Sequence, residues 1–137
     1  MILIFGGAKQ GQPDLVYKLV VGPLIKLFDL ADFAELTPQE RASLKRRNVI
    51  ILDCREWLKL HLDSDEAELE KELDLLCSDL SAQSTIIVED IGEGIVPIDP
   101  EERQLREQNG RLLQILANKA RRVYRVFAGR ALCLKDE

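Results

Sequence analysis

The sequence predicts an α/β domain built in three layers around a mostly parallel β-sheet. Short, continuously apolar runs at residues 2–5, 49–52 and 86–88 alternate with amphipathic helical stretches, and glycine or proline marks many of the joins. A strand covered on both faces has no polar side to show, so an unbroken apolar run bounded by turn residues is what a parallel sheet requires. At 137 residues, 46% of them hydrophobic, the chain can bury one sizeable core and is too short for two ordinary domains.

Taken in order, Ile2–Phe5 reads as the first buried strand, closed by Gly6-Gly7. Pro13 suits a first helical position, and Leu15, Val16, Leu19 and Val20 recur at helical spacing until Gly22-Pro23 interrupts them. A second apolar helix is expected over about residues 23 to 34. Thr37-Pro38-Gln39-Glu40 is a capping-box pattern that opens a short basic helix ending near Arg47. Val49–Leu52 is the next buried strand and ends in Asp53. From Ser64 to about Leu80 the chain is acidic, with Leu69, Leu73, Leu76 and Leu80 on one stripe, as in a surface helix packed by a leucine face. Ile86–Val88 is the third buried strand; the glycine-rich DIGEGIVP and a long polar helix from Pro100 to Arg121 follow. Val123–Phe127 and Leu132–Leu134 close the chain as two strands around Ala128-Gly129, a pair for which an antiparallel arrangement is open.

The net charge of −5 and pI near 5.0 leave no global positive field, so nucleic acid is not an expected partner. No apolar run approaches the roughly 18–20 residues that span a bilayer, and the opening apolar run is too short for a signal peptide, so no membrane association and a cytoplasmic location are expected. Cys54, Cys77 and Cys133 form no CxxC pair and read as buried thiols, without a disulfide framework or metal site. His61, the single histidine, reads as structural.

GGAKQG keeps the spacing of a Walker A phosphate loop: Gly6 and Gly11 are separated by Gly7, Ala8, Lys9 and Gln10, between a strand and a helix. A working loop continues with a lysine for the β and γ phosphates and a hydroxyl for magnesium; Gln12 and Pro13 stand there, one neutral and the other lacking both hydroxyl and N–H. Residues 6–12 are therefore either a phosphate-loop remnant or a structural glycine turn.

The later motifs add a family resemblance. DIGEGIVP, then RQLREQNGRLLQILA, then ARRVYRVFAGRALCLK, resembles the C-terminal half of the bifunctional cobinamide kinase and cobinamide-phosphate guanylyltransferase family of cobalamin biosynthesis. The family pattern NEVGxGIVP is matched at Asp90, Gly92, Gly94, Ile95, Val96 and Pro97, with Asp90 in place of glutamate. The pattern RxFRDxxGxxNQxLA is met by Arg103, Leu105, Arg106, Glu107, Gly110, Gln114, Leu116 and Ala117, with Glu107 for aspartate and Leu113 for asparagine. The strand ADEVYLVVAGIP is matched at Val123, Tyr124, Val126, Ala128 and Gly129. MILIFGGAKQG and ILDC stand where the family has its phosphate loop and its acid-ended strand.

The resemblance implies a P-loop nucleotide-hydrolase-like (RecA-like) fold, GTP or ATP with Mg2+ as cofactor if the activity survives, a nucleotide or corrinoid ligand, and a homo-oligomer, most often a trimer. It makes Asp53 a Walker B-like acid, which otherwise reads as a strand-end cap. It also makes Asp90, Gly92, Gly94 and Pro97 a ligand loop. Three departures stand against retained chemistry: the loop lysine is gone, the loop hydroxyl is gone, and the interval from Leu15 to Leu52 contains no histidine where the family carries its guanylylated one. His61 follows the strand and does not take that role. Arg103, Arg106 and Arg111, at spacings of three and five, are candidate anion contacts or partners of Glu101, Glu102 and Glu107. The expected function is that of a degenerate, non-catalytic relative with a binding or regulatory role. The alternatives are an active transferase using Lys9 and a structural oligomerisation module. Val20–Phe33 carries more apolar surface than a short helical hairpin hides, so it is the expected interface.

Overall fold

The structure, a computed structural model, describes residues 1–7, 25–90 and 98–137. The apolar runs become adjacent strands of a six-stranded sheet in the order β2-β3-β4-β1-β5-β6. These are β1 (Ile2–Gly6), β2 (Ile25–Phe28), β3 (Asn48–Ile51), β4 (Thr85–Glu89), β5 (Arg122–Phe127) and β6 (Arg130–Asp136). All pairings are parallel except β5 with β6. β1 lies between β4 and β5, with Leu3 level with Ile86 on one side and Val123 on the other. A strand flanked twice and covered on both faces must be apolar at consecutive positions. Ile2, Leu3 and Ile4 are accordingly 0% exposed.

Five helices are described: α1 (Leu30–Glu35), α2 (Pro38–Ser43), α3 (Arg55–Lys59), α4 (Glu66–Cys77) and α5 (Pro100–Lys119). α4 sets Leu69, Leu73 and Leu76 into the main core, as the leucine stripe predicts, with Leu80 packed at its border. That core joins them to Leu3, Val49, Ile51, Ile86, Val88 and Val123 of the sheet and to Trp57 and Leu112 of the neighbouring helices. On the opposite sheet face Ile2, Ile4, Ile50, Ile87 and Val126 form a second cluster, to which no described helix contributes. The helix expected from Pro13, which would belong to the third layer, lies outside the described residues. Among the described residues, no helix is long and apolar enough to cross a membrane.

The helix expected over 23–34 is instead a strand followed by a short helix. Ile25–Phe28 pairs in register with Asn48–Ile51, and Asp29 breaks the run because its Oδ1 accepts the Ala31 N–H at 2.8 Å as the N-cap of α1. A short apolar run fits either state locally, and here the sheet edge decides it. The same correction bears on the expected interface. Leu30 and Phe33 are 1% and 0% exposed within their own chain, whereas Leu27 on the sheet edge is 57% exposed. Val20, Val21 and Leu24 lie outside the described residues.

The Thr37 capping box is formed, Thr37 Oγ1 accepting the Glu40 N–H at 3.1 Å and Glu40 Oε1 accepting the Thr37 N–H at 3.0 Å. Those hydrogen bonds hold the Glu40 carboxyl below its usual range. The helix stops at Ser43 and continues to Arg47 as turns, shorter than expected. Of the three thiols only Cys54 is fully buried; Cys77 is half-buried, and Cys133, on the edge strand β6, is exposed.

Ala128 (φ 50) and Gly129 (φ 74) form the two-residue turn between β5 and β6. Positive φ at both positions suits Asn-Gly and strains alanine. Ala128→Asn is expected to stabilise the chain by about 0.5–1 kcal/mol in urea unfolding. An unchanged or lowered midpoint would show that the turn carries no such strain.

Candidate functional site

In an open parallel sheet, ligands bind beyond the carboxyl ends of the strands where successive connections part in opposite directions. That point here is β1. The chain leaves β1 for β2 at one edge of the sheet, works back through β3 and β4, and then steps over β1 to β5. Gly6 and Gly7, the first residues of the predicted phosphate loop, therefore sit at the switch point. Ala8, Lys9, Gln10, Gly11 and Gln12 lie outside the described residues, as do Gly92, Gly94 and Pro97.

The neighbouring strand ends bring acids to the same place. Asp90 donates its backbone N–H to Gly6 O at 2.7 Å, which stitches the end of β4 to the end of β1. Asp53 follows β3; its carbonyl accepts the Leu30 N–H at 2.9 Å and its Oδ1 accepts the Arg55 N–H at 3.1 Å. The Asp53 carboxylate thus satisfies the first N–H of α3 and stays solvent-exposed at the end of β3. Behind it Cys54 is buried; burial pushes its thiol well above the ordinary value, with the Asp53 and Asp29 carboxylates adding to the rise.

A cavity of about 40 Å³ opens among Asp53, Arg55, Glu89 and Asn109. It has room for a few waters, against the ~300 Å³ at which small-molecule sites begin. Asn109 Nδ2 donates to Glu89 O at 2.9 Å and so fixes α5 against the end of β4. Arg55 reaches Glu102 at 3.5 Å, both partly exposed, a pair worth well under about 1 kcal/mol. The lining therefore sets Asp53 and Glu89 beside Arg55, which reaches Glu102. Among the described residues no group of three or more acids, cysteines or histidines is placed to hold a metal ion.

At about 100° per residue, Arg103 lies about 60° from Arg106 and about 80° from Arg111 around α5, so Arg103 and Arg106 share a face while Arg106 and Arg111 stand about 140° apart. Arg103 is exposed and Arg106 half-buried. Arg111 donates to Gln108 Oε1 at 2.8 Å, a partner different from the expected glutamates. Gln108 is 1% exposed and donates from Nε2 to His61 O at 2.6 Å and Ser64 O at 2.9 Å. Gln108 and Asn109 were not expected as site-forming residues. The visible signal is that both amides fall on the apolar stripe set by Leu105 and Leu112, where a polar residue must find partners. His61 is structural, as expected: its ring stacks on Trp57 with centroids 4.0 Å apart, and Nδ1 lies 2.8 Å from Trp57 O.

No curated protein matches the chain. The sequence profile described as cobinamide kinase / cobinamide phosphate guanyltransferase matches residues 29–134. That span runs from the cap of α1 through β3, β4 and α5 to β6, and so takes in the acid-ended strands, the switch-point neighbours and the closing hairpin. The chain belongs to the cobinamide kinase / cobinamide phosphate guanyltransferase family.

Proposed function

We propose that this chain is a member of the family that has given up phosphoryl and guanylyl transfer and serves a binding or regulatory role in cobinamide-related metabolism. The observation that carries this reading is at the phosphate-loop positions beside the switch point: the sequence has Gln12 and Pro13 where a loop lysine and hydroxyl would meet a magnesium-bound phosphate, and the acids Asp53 and Glu89 line the neighbouring strand ends beside Arg55, which reaches Glu102. Losing one charge-assisted contact to a phosphate costs about 1.5–3 kcal/mol, more than tenfold in affinity.

Titration calorimetry with ATP or GTP in the presence of magnesium is expected to give no saturable binding with a dissociation constant below about 100 µM, a binding free energy near −5.5 kcal/mol. Incubation with α-labelled GTP is expected to leave no covalent label after denaturation, since no histidine precedes β3. Low-micromolar binding, or a stable label, would overturn the proposal in favour of an active transferase. The observation favouring that second reading is the placement of Gly6 and Gly7 at the switch point, with Asp53 at the end of β3, two strands along. Loss of a stable label in His61→Ala would then make His61 the acceptor.

A further inference from the structure

A parallel step in a sheet needs a crossover, and a helix in that crossover covers the strands it joins. The last step here is different: β5 and β6 are joined by the two-residue turn at Ala128-Gly129, so no helix connects them. α5, the crossover from β4 to β5, covers the core face as far as Val123, and beyond it the face lies open. A groove of about 600 Å³ runs there between α5 and β6, with Phe5 and Leu134 on the sheet side and Leu113 and Ala117 on the helix side. Leu113 and Ala117, four residues apart, share one flank of α5.

A β-bulge shapes the sheet side of the groove. The register of β5 and β6 shifts between Val123 and Tyr124, so that Lys135 stands opposite Val123 and Leu134 is the extra residue. Lys135 turns to the end of α5 and donates to Ala117 O at 3.1 Å and Asn118 O at 3.3 Å, while Leu134 stays in the groove, 53% exposed. The same bulge interrupts the hydrogen-bonding row of the open edge, so an added strand could not run along the whole of β6. What fits is a helix laid beside α5, at the ~8–10 Å spacing of packed helices.

Toward the hairpin the face becomes basic. Alternate residues of a strand share a face, so Arg125 and Phe127 follow Val123 on this side, with Leu132 and Arg130 opposite them. Each arginine thus stands beside an apolar side chain, and Phe127 and Leu132 are 66% and 60% exposed. No carboxylate is among the described residues that line this patch, although the chain carries a net charge of −5. An occupant whose apolar ridge lay in the groove would meet positive charge at the hairpin end.

We infer that this face is the docking site for an amphipathic helix of a different protein, apolar along i, i+3, i+4 and i+7 and acidic at the end that lies over Arg125 and Arg130. A second copy of this chain offers no such helix among its described residues, because α4 and α5 turn their apolar stripes into their own core. The inference goes beyond the loss of transfer and does not depend on it.

Fluorescence anisotropy with the whole chain tests it. The probe is a labelled synthetic helix of about four turns, with leucines at that spacing and glutamates in its first turn; its twin carries lysines in place of the glutamates. The glutamate peptide is expected to bind saturably and at least tenfold more tightly than the lysine peptide. Leu134→Lys is expected to weaken that binding at least tenfold, and Arg125→Glu combined with Arg130→Glu to reverse the preference between the two peptides. These positions are exposed, so circular dichroism should show both variants folded. Equal binding of the two peptides, binding indifferent to Leu134→Lys, or no binding up to about 1 mM would overturn the inference. So would light scattering in which self-association of the chain displaces the peptide, since the groove would then belong to a second copy.

Discussion

Replacing Trp57 by alanine will lower the stability of the chain by about 3–5 kcal/mol, a large share of the 5–15 kcal/mol of a typical domain. Trp57 is 2% exposed and fills the core between α1, α4 and α5, where no smaller side chain can collapse into the space. It also supports its surroundings. The His61 ring lies against it, and Gln108 from α5 holds the carbonyls of the turn that contains His61. Urea unfolding followed by far-ultraviolet circular dichroism will read the change. A loss below about 1 kcal/mol would mean that Trp57 packs more loosely than its burial implies. Trp57→Phe should recover a substantial part of the loss, because a second aromatic ring restores most of the buried area.

Alkaline pH should produce the second large effect. Burial pushes the Cys77 thiol from an ordinary 9.0 up to about 11, against a smaller opposing pull from Lys119. The more deeply buried Cys54 moves in the same direction. In the unfolded chain both thiols ionise near their ordinary value, whereas in the fold they keep their protons. Their contribution to stability is therefore complete below about pH 9 and is lost as pH climbs through 11. For Cys77 alone the loss amounts to about 2–3 kcal/mol, at 1.36 kcal/mol per unit. Thermal melts at pH 8 and pH 11 should separate widely, and Cys77→Ala should narrow the gap. An equal gap in the variant would assign the alkaline loss to other groups.

The sequence foreshadowed the parallel core because its strands are apolar without interruption. Ile2–Phe5, Val49–Leu52 and Ile86–Val88 lie within or beside strands that run together through the sheet centre. The leucine stripe of α4 and the Thr37 capping box were legible for a similar reason, since each depends on residues a few positions apart. β2 was not legible: Ile25–Phe28 is held by pairing with β3, a contact that local periodicity does not encode. α3 escaped notice because Arg55–Lys59 is a single short turn of helix and its N-cap, Cys54, makes no side-chain cap bond. At the site, Gly6 and Asp53 could be placed from their positions at the ends of apolar runs. Gln108 and Asn109 were harder, because their importance appears only when α5 is laid against the turn at His61 and the end of β4. Of the three arginines, the spacing along the chain places Arg103 and Arg106 on one face of α5, whereas the pairing of Arg111 with Gln108 was not legible.

The stacking of Trp57 on His61 has a practical consequence. The chain contains one tryptophan and one histidine, and their rings lie 4.0 Å apart. Its tryptophan fluorescence, excited at wavelengths where the two tyrosines do not absorb, therefore comes from a single emitter held beside a histidine ring. A change in emission would signal that the packing between α3 and α5 has shifted, without any label attached, and it would do so from beneath the same helix that fixes the end of β4. The protein thus carries its own optical gauge of whether events at the switch point reach the core.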